Sequence, residues 1–346
     1  LSACGGTSQL ENDDDLDQQV GTWKTKLAKC SNKDHLDVVF YNVENLFDTQ
    51  NDPLKNDDDF TPNGRNEWSK GRYEKKLINL SRVIQSIDHG AGNAAIIGLA
   101  EVENRAVVEN LANTILPNGY GVVHQESPDQ RGIDLALLYR KDMIKRLDEE
   151  FIRIEFSEQG YTSRDILYFK GQLNDETIYV FVNHWPSRRG GQKETEHRRL
   201  DAARTLKKRV EKLQRKDQDA QIIILGDFND YPDNKSLTSV LKAKPKNSKS
   251  KRELVNLAYE LEMQDKGTYP YKGDWGMLDQ GIISDNLMDG IGLNICEETL
   301  EIHWKEFFLF YDKKYKEYKP NKTYGGPKYY GGYSDHLPIV LHFKTN

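Results

Sequence analysis

The 346 residues suffice for one large domain or two ordinary ones, and a hydrophobic content of 37% is low but adequate for a core at this length. Charged residues make up 30%, and a formal net charge of -6 argues against a protein that grips long nucleic acid along its whole surface. No run approaches the roughly 18–20 apolar residues of a membrane-spanning helix, and Cys4, Cys30 and Cys296 lack the CxxC spacing of a zinc knuckle.

The chain opens Leu1-Ser2-Ala3-Cys4-Gly5-Gly6, which resembles the cleavage box of bacterial lipoproteins: small residues that fit a peptidase cleft, then a thiol able to carry an acyl anchor. The match covers that box alone. It implies lipidation at Cys4, membrane attachment, and a place outside the cytoplasm, on the cell surface or the periplasmic face. Cys30 and Cys296 would then be left over for pairing. From Gly5 to about Lys33 the chain is polar, with the acidic run Glu11-Asn12-Asp13-Asp14-Asp15, as suits a solvated tether. Residues 1–35 are therefore read as terminus and tether, and 36–346 as one folded domain.

Leu36 to Tyr41 reads as the first strand. A polar insertion follows Asp48, containing Asp57-Asp58-Asp59 and Trp68; its aspartates lack EF-hand spacing and read as a solvated loop. Tyr73, Leu77, Leu80, Ile84 and Ile87 then share one helical face. Strands are predicted over residues 95–100, 133–139, 177–183, 221–225, 280–284 and 337–343. A second helix carries Leu200, Ala203, Leu206, Val210 and Leu213. The basic stretch from Lys242 to Arg252 reads as a surface loop. Helices interleaved with many buried strands indicate layered α and β structure rather than an all-β sandwich.

Polar chemistry gathers at strand ends. Val38-Val39-Phe40-Tyr41 runs into Asn42-Val43-Glu44-Asn45, and Ile96-Ile97-Gly98-Leu99-Ala100 into Glu101-Val102-Glu103-Asn104. Val180-Phe181-Val182 runs into Asn183-His184-Trp185-Pro186, and Ile222-Ile223-Ile224-Leu225 into Gly226-Asp227-Phe228-Asn229-Asp230. Ser334-Asp335-His336 leads into Leu337-Pro338-Ile339-Val340. One carboxylate at a strand end ordinarily caps a helix or closes a turn. Repeated clusters of oxygen and imidazole donors, brought to one rim by side-by-side strands, suit Mg²⁺ or Mn²⁺ better than zinc.

Taken in order, these motifs resemble the signature series of the endonuclease/exonuclease/phosphatase superfamily, from about Leu36 to the end of the chain. The resemblance implies a deoxyribonuclease-I-like α/β fold: a four-layer sandwich of two mainly antiparallel sheets flanked by helices. It also implies a metal-dependent phosphoester hydrolase. By their motif positions, Glu101 resembles the principal metal ligand and Asp335 the next. Asn42 would orient metal or phosphate, and Glu44 would reach the metal through water or simply end its strand. Asp227 would position or deprotonate the attacking water, and Asn229 would donate to the phosphate. His184 and His336 would flank the phosphate as proton-holding groups, with Asp279 orienting His336. The choice of base, Asp227 or the Asp279–His336 pair, stays open, as does one metal against two.

Arg164, Arg188 and Arg189 are candidate phosphate contacts, with Arg198, Arg199 and the pair Arg131/Asp134 as weaker ones. Trp185 is a candidate stacking surface for a strand. His124 and His197 read as surface residues. The substrate expectation is an extracytoplasmic nuclease, with a phosphatase or phosphodiesterase of a small molecule or lipid head group as the close alternative, acting as a monomer. A non-catalytic binding protein on the same scaffold would lack motif residues, and a glycosidase carboxylate pair would not explain the paired histidines and asparagines.

Overall fold

The computed structural model describes residues 35–87, 93–245, 253–296 and 300–345. Cys4, Cys30, the tether and most of the basic 242–252 stretch lie outside the described residues. Cys296 is disulfide-bonded.

The chain begins with β1 (His35–Leu46), followed after the polar insertion by α1 (Lys70–Gln85), β2 (Ile96–Val102) and α2 (Arg105–Ile115). Two hairpin-related pairs come next: β3 (Tyr120–His124) with β4 (Asp134–Arg140), then β5 (Ile144–Ile152) with β6 (Ile166–Leu173). β7 (Glu176–His184), α3 (Glu196–Lys216) and β8 (Gln221–Asp227) form a crossover unit, with β7 and β8 parallel. Short strands β9 (Ala243–Lys244) and β10 (Leu254–Asn256) precede a hairpin of β11 (Tyr269–Tyr271) and β12 (Asp274–Gly276). β13 (Asp279–Ser284), β14 (Leu293–Ile295) and β15 (Glu301–Ile302) follow. Two small hairpins, β16 (Leu309–Asp312) with β17 (Glu317–Pro320) and β18 (Tyr324–Gly325) with β19 (Lys328–Tyr329), lead to β20 (Ile339–Thr345).

One sheet runs β14-β20-β1-β2-β4-β3, with β15 also on β20, and the other runs β5-β6-β7-β8-β13-β10-β9. Most neighbours are antiparallel; β1–β2, β7–β8 and β9–β10 are parallel. The sheets pack face to face through residues such as Phe40, Val182, Leu225 and Leu341, all fully buried. A Cβ on Gly281 would stand 2.6 Å from Leu341 Cδ1, so the missing side chain lets β13 close onto β20. The first sheet is covered by α1 and α2 through Leu80, Ile84, Val108 and Leu111. The second is covered by α3, whose Ala203, Leu206 and Val210 meet Phe181, Ile222 and Ile224. Four layers result, helix–sheet–sheet–helix, the deoxyribonuclease-I-like arrangement.

The periodic segments fold as expected. Missing from the sequence reading are α2, although Val107, Val108, Leu111 and Ile115 form a helical stripe, the strands β3 and β6, the short strands β9–β12 and β14–β19, and the edge strand β5, which is mostly exposed and shows no alternation. The polar insertion is less solvated than its composition suggests. Trp68 is fully buried and donates to the Phe47 carbonyl at 3.0 Å, and Asp57 is buried and accepts from the Asp52 amide. Asp58 and Asp59 are exposed, as a solvated loop requires.

Leu206 is fully buried between α3 and the second sheet. Leu206→Ala should lower unfolding free energy by about 3 kcal/mol in urea titration, whereas the exposed Lys208→Ala should stay within about 0.5 kcal/mol of the parent.

Candidate active site

Strand register brings the motifs to one rim. In the second sheet His184 is paired with Asp227 and Asp227 with Asp279, so three functional side chains stand abreast on β7, β8 and β13. In the first sheet Asn42 lies opposite Ala100, next to Glu101, and the 334–336 segment enters β20 alongside β1. Asn42 Nδ2 donates to Asp227 Oδ2 at 3.2 Å and so links the two sheets at the floor of the site.

Glu101 is aimed by a bulge. The register of β2 shifts between Ala100 and Val102, and Glu101 takes a positive φ of 65°. A carboxylate residue in this left-handed region is costly, on the order of 1–3 kcal/mol, and such bulges redirect side chains beside active sites. Its Oε2 accepts from the Asn45 amide at 3.1 Å, while Oε1 lies 3.9 Å from His184 Nε2.

Asp227 is the centre of the network. Its Oδ1 accepts from the Asn229 amide at 2.9 Å, and its Oδ2 faces His184 Nε2 at 3.6 Å and His336 Nε2 at 4.0 Å. Burial, with the charge of Asp279 added, raises its pKa to about 7. His336 Nδ1 meets Asp279 Oδ2 at 2.7 Å, an oxygen that also takes the Thr268 hydroxyl, and Tyr269 packs on the imidazole at 4.7 Å. Burial alone would depress His336, but the charge and hydrogen bond of Asp279, backed by Asp227 and Asp335, hold it well above its ordinary value. Asp227, Asp279 and His336 are close enough to enclose an ion, and the Nδ1 bond between His336 and Asp279 also links them as a hydrogen-bonded relay.

His184 behaves differently from the expectation of a proton-holding group. Burial, followed by the charges of Arg164 and Arg131, pushes its pKa well below the ordinary value. These influences favour the neutral imidazole, which offers one N–H.

The donors suited to a divalent metal are Glu101 and Asp335, hard oxygen groups lining the same recess. Burial raises Asp335, and the neighbouring Glu101 charge raises it further, the electrostatic crowding that a bound cation relieves. Asn42 touches this set through Asp227 and accepts from the Glu44 amide at 3.1 Å. Glu44 is neither a strand-end surface group nor a recess-lining one. It is buried, accepts from the Thr323 and Tyr324 amides at 2.6 and 3.3 Å, and lies 3.7 Å from the buried Lys76 ammonium.

Trp185 requires correction. It is fully buried, its indole N–H donating to Asn183 Oδ1 at 3.2 Å and its ring edge-on to Phe228, so it offers no stacking face. Its carbonyl instead receives Arg164 Nη2 at 2.8 Å and Asn229 Nδ2 at 3.1 Å. Asn229 therefore has one amide hydrogen committed and one remaining. Arg164 lines the recess while ion-paired to Asp129 at 2.9 Å; Arg188 lines it while bonded to the Asn229 carbonyl at 2.7 Å. Arg189 lines it from an exposed position. Arg131 also lines the recess; Asp134 is buried behind it against His124. Arg199 is fully buried on Asp230 and Arg198 is held by Glu158, so neither faces the site. The His124 side chain is buried, contrary to the surface reading, and His197 is exposed as expected. Sequence reasoning missed Tyr231, Tyr269 and Tyr271 in the recess wall and Lys76 behind it. The Thr268-Tyr269-Pro270-Tyr271 run is an aromatic cluster in a short hairpin, but nothing local points it at the motifs.

Strand-end carboxylates, a paired histidine and cationic walls around a hydrolytic recess define a metal-dependent phosphoester hydrolase. The chain belongs to the Endonuclease/Exonuclease/phosphatase family, which it matches over residues 37–345 and whose members depend on divalent metals. Its fold resembles that of D. rerio TDP2 complexed with single strand DNA product (17% identity, TM-score 0.55, covering 90% of this chain and 99% of that one). It also resembles an endonuclease/exonuclease/phosphatase family protein from Bacteroides thetaiotaomicron (14%, TM-score 0.57, 90% and 98%). A mannosyl-6-phosphatase from the same organism is similar too (14%, TM-score 0.56, 89% and 99%). No curated protein sequence matches the chain.

Asp279→Asn removes the charge that orients His336 without changing volume. It should lower kcat about 100-fold or more with KM within about twofold, read by steady-state hydrolysis with Mn²⁺. Trp185→Phe should act as a core substitution, lowering the melting temperature rather than selectively weakening substrate binding.

Proposed function

We propose that the protein hydrolyses a compact phosphate ester, as a phosphatase or phosphodiesterase using Mg²⁺ or Mn²⁺. The observation that carries this reading is the recess itself, a cavity of about 590 Å³ and so in the size class of small-molecule sites. The reacting groups lie on its floor, with Arg131, Arg164, Arg188 and Arg189 in its walls. Guanidinium groups suit an anionic substrate, and a net charge of -6 disfavours long nucleic acid.

Glu101 and Asp335 would hold the metal, which when bound neutralises phosphoryl oxygens and acidifies a water molecule. Asp227, its Oδ2 held by Asn42 and its Oδ1 by the Asn229 amide, would accept the proton of the attacking water. His336, its Nδ1 engaged by Asp279, presents Nε2 to the recess and supplies the proton that the departing oxygen takes when its bond to phosphorus breaks. His184 and the remaining Asn229 amide hydrogen would receive the charge developing on the phosphoryl oxygens.

A second reading, a nuclease, is favoured by Tyr271, which is 59% exposed and lines the recess together with Arg189, a surface on which a base could stack. The likeness to a TDP2 crystallised with a DNA product supports the same reading. In either case the lipoprotein-like box at Cys4 supports an anchored enzyme working outside the cytoplasm.

The deciding assay compares sugar phosphates, small phosphodiesters, lipid head-group esters, plasmid and single strands, with metal or chelator. Turnover of small esters, abolished by chelator, with Arg189→Ala raising KM about 10-fold at unchanged kcat, is the expected result. Metal-dependent cleavage of DNA alone, with a steep salt dependence, would replace it with the nuclease reading.

A further inference from the structure

At the opposite end of β1 from the active site is a second cluster of ligand-type side chains. His35 and Asp37 are two residues apart and share one face of β1, and His342 lies directly opposite Asp37 in the antiparallel pairing with β20. All three are buried. His35 Nε2 is 2.6 Å from Asp37 Oδ1, His342 Nδ1 is 2.7 Å from the same oxygen, and the two nitrogens are 3.1 Å apart. The rings stand nearly perpendicular, at 80°, so their nitrogen lone-pair directions converge from different sides.

Hydrogen bonds to Asp37 Oδ1 hold this triangle together when protons occupy it. If both nitrogens donate to Asp37 Oδ1, two N–H groups crowd one oxygen and face each other. The other nitrogen of His342 is already assigned: Nε2 meets Glu301 Oε2 at 3.0 Å. A carboxylate on the far nitrogen of an imidazole is the outer-shell partner typical of metal-bound histidine, because it fixes the tautomer whose Nδ1 lone pair can coordinate an ion in place of the proton. Glu301 is fixed in turn by His303 Nδ1 at 3.0 Å, and His303 Nε2 by the Ser86 hydroxyl at 2.9 Å. The whole chain of groups orients His342 toward the common point.

We propose that His35, Asp37 and His342 form a structural site for zinc or a similar borderline divalent cation, separate from the active site. Two imidazoles and one carboxylate suit such an ion, in contrast to the hard oxygens of the active site. With ligand bonds of about 2.0–2.1 Å the edges of a tetrahedral site are about 3.3 Å, so the triangle needs to open by only about half an ångström. Binding displaces the protons between the three atoms, and water can supply the fourth ligand. The ion would clamp the first strand of the domain to the last.

The test uses the full chain carrying Glu101→Gln and Asp335→Asn, which disables metal binding at the active site. After chelation and zinc return, this protein should hold one equivalent of zinc by elemental analysis. It should also melt about 5 °C higher at zinc near 100 times Kd. Adding His342→Ala should abolish both effects. Should that variant fail to fold, ¹⁵N spectra of the parent double variant decide, since zinc must shift His342 Nδ1 and His35 Nε2 together. No bound equivalent in folded protein, binding that survives His342→Ala, or histidine resonances unmoved by zinc would each overturn the proposal.

Discussion

Asp227 accepts from a side chain of the opposite sheet, and the site depends on that meeting. Asn42 reaches Asp227 only because the two sheets close tightly at this rim. A buried carboxylate without partners is strongly disfavoured. Here the Asn42 amide, the Asn229 backbone and the nearby His336 offset the loss of water. The same burial raises the carboxylate's proton affinity, so packing and reactivity come from one arrangement. Loosening the sandwich would separate Asn42 from Asp227 before it disturbed any single sheet.

Buried cations hold the segments that carry the remaining groups. Lys76, on α1, donates to Thr323 Oγ1 and to the Tyr333 carbonyl, both at 2.6 Å, and faces Glu44. Those contacts fix the stretch that arrives at Asp335 and His336 only two and three residues after Tyr333. On the other side Arg199 pairs with Asp230 at 2.7 Å, fixing the turn after Asp227 and Asn229. Arg164 joins Asp129 to the Trp185 carbonyl. Each is a long polar side chain tied into a buried network, which favours one loop conformation over its competitors.

The sequence was most legible where strands end in polar motifs. Apolar runs fixed by burial on both faces announce themselves, and side-by-side packing must gather their ends, so Glu101, His184, Asp227, Asp335 and His336 could be placed together. Roles within a motif were less legible. Asn104 and Glu103 look as functional as Glu101, yet Asn104 caps α2 by accepting from Val107 at 3.0 Å and Glu103 accepts from the Asp48 amide. Trp185 sits beside His184 in sequence, but strand alternation turns it to the α3 side, into the core with Phe228. Glu44 and Lys76 lie 32 positions apart and their meeting is purely tertiary. The lowering of His184 comes first from burial and then from Arg164 and Arg131, which belong to other segments. Residue type and local pattern carry no information about such distant neighbours.

β1 connects the active site with the His35–Asp37–His342 cluster. Asp37 and Asn42 are five residues apart on one strand, about 17 Å at the rise of extended chain. Groups at the His35–Asp37–His342 end therefore cannot touch the reacting atoms. They act on register: β1 and β20 are paired from His35 with Lys344 to Phe40 with Ile339, and β20 begins three residues after His336. A slip of one residue along that ladder would turn Asn42 away from Asp227 and carry the 334–336 segment with it. Pinning Asp37 opposite His342 excludes the slip, because a shifted strand would leave a buried carboxylate facing Leu341 or Phe343. The polar cluster at the far end of the strand thus bears on the geometry of the active site without contributing an atom to it.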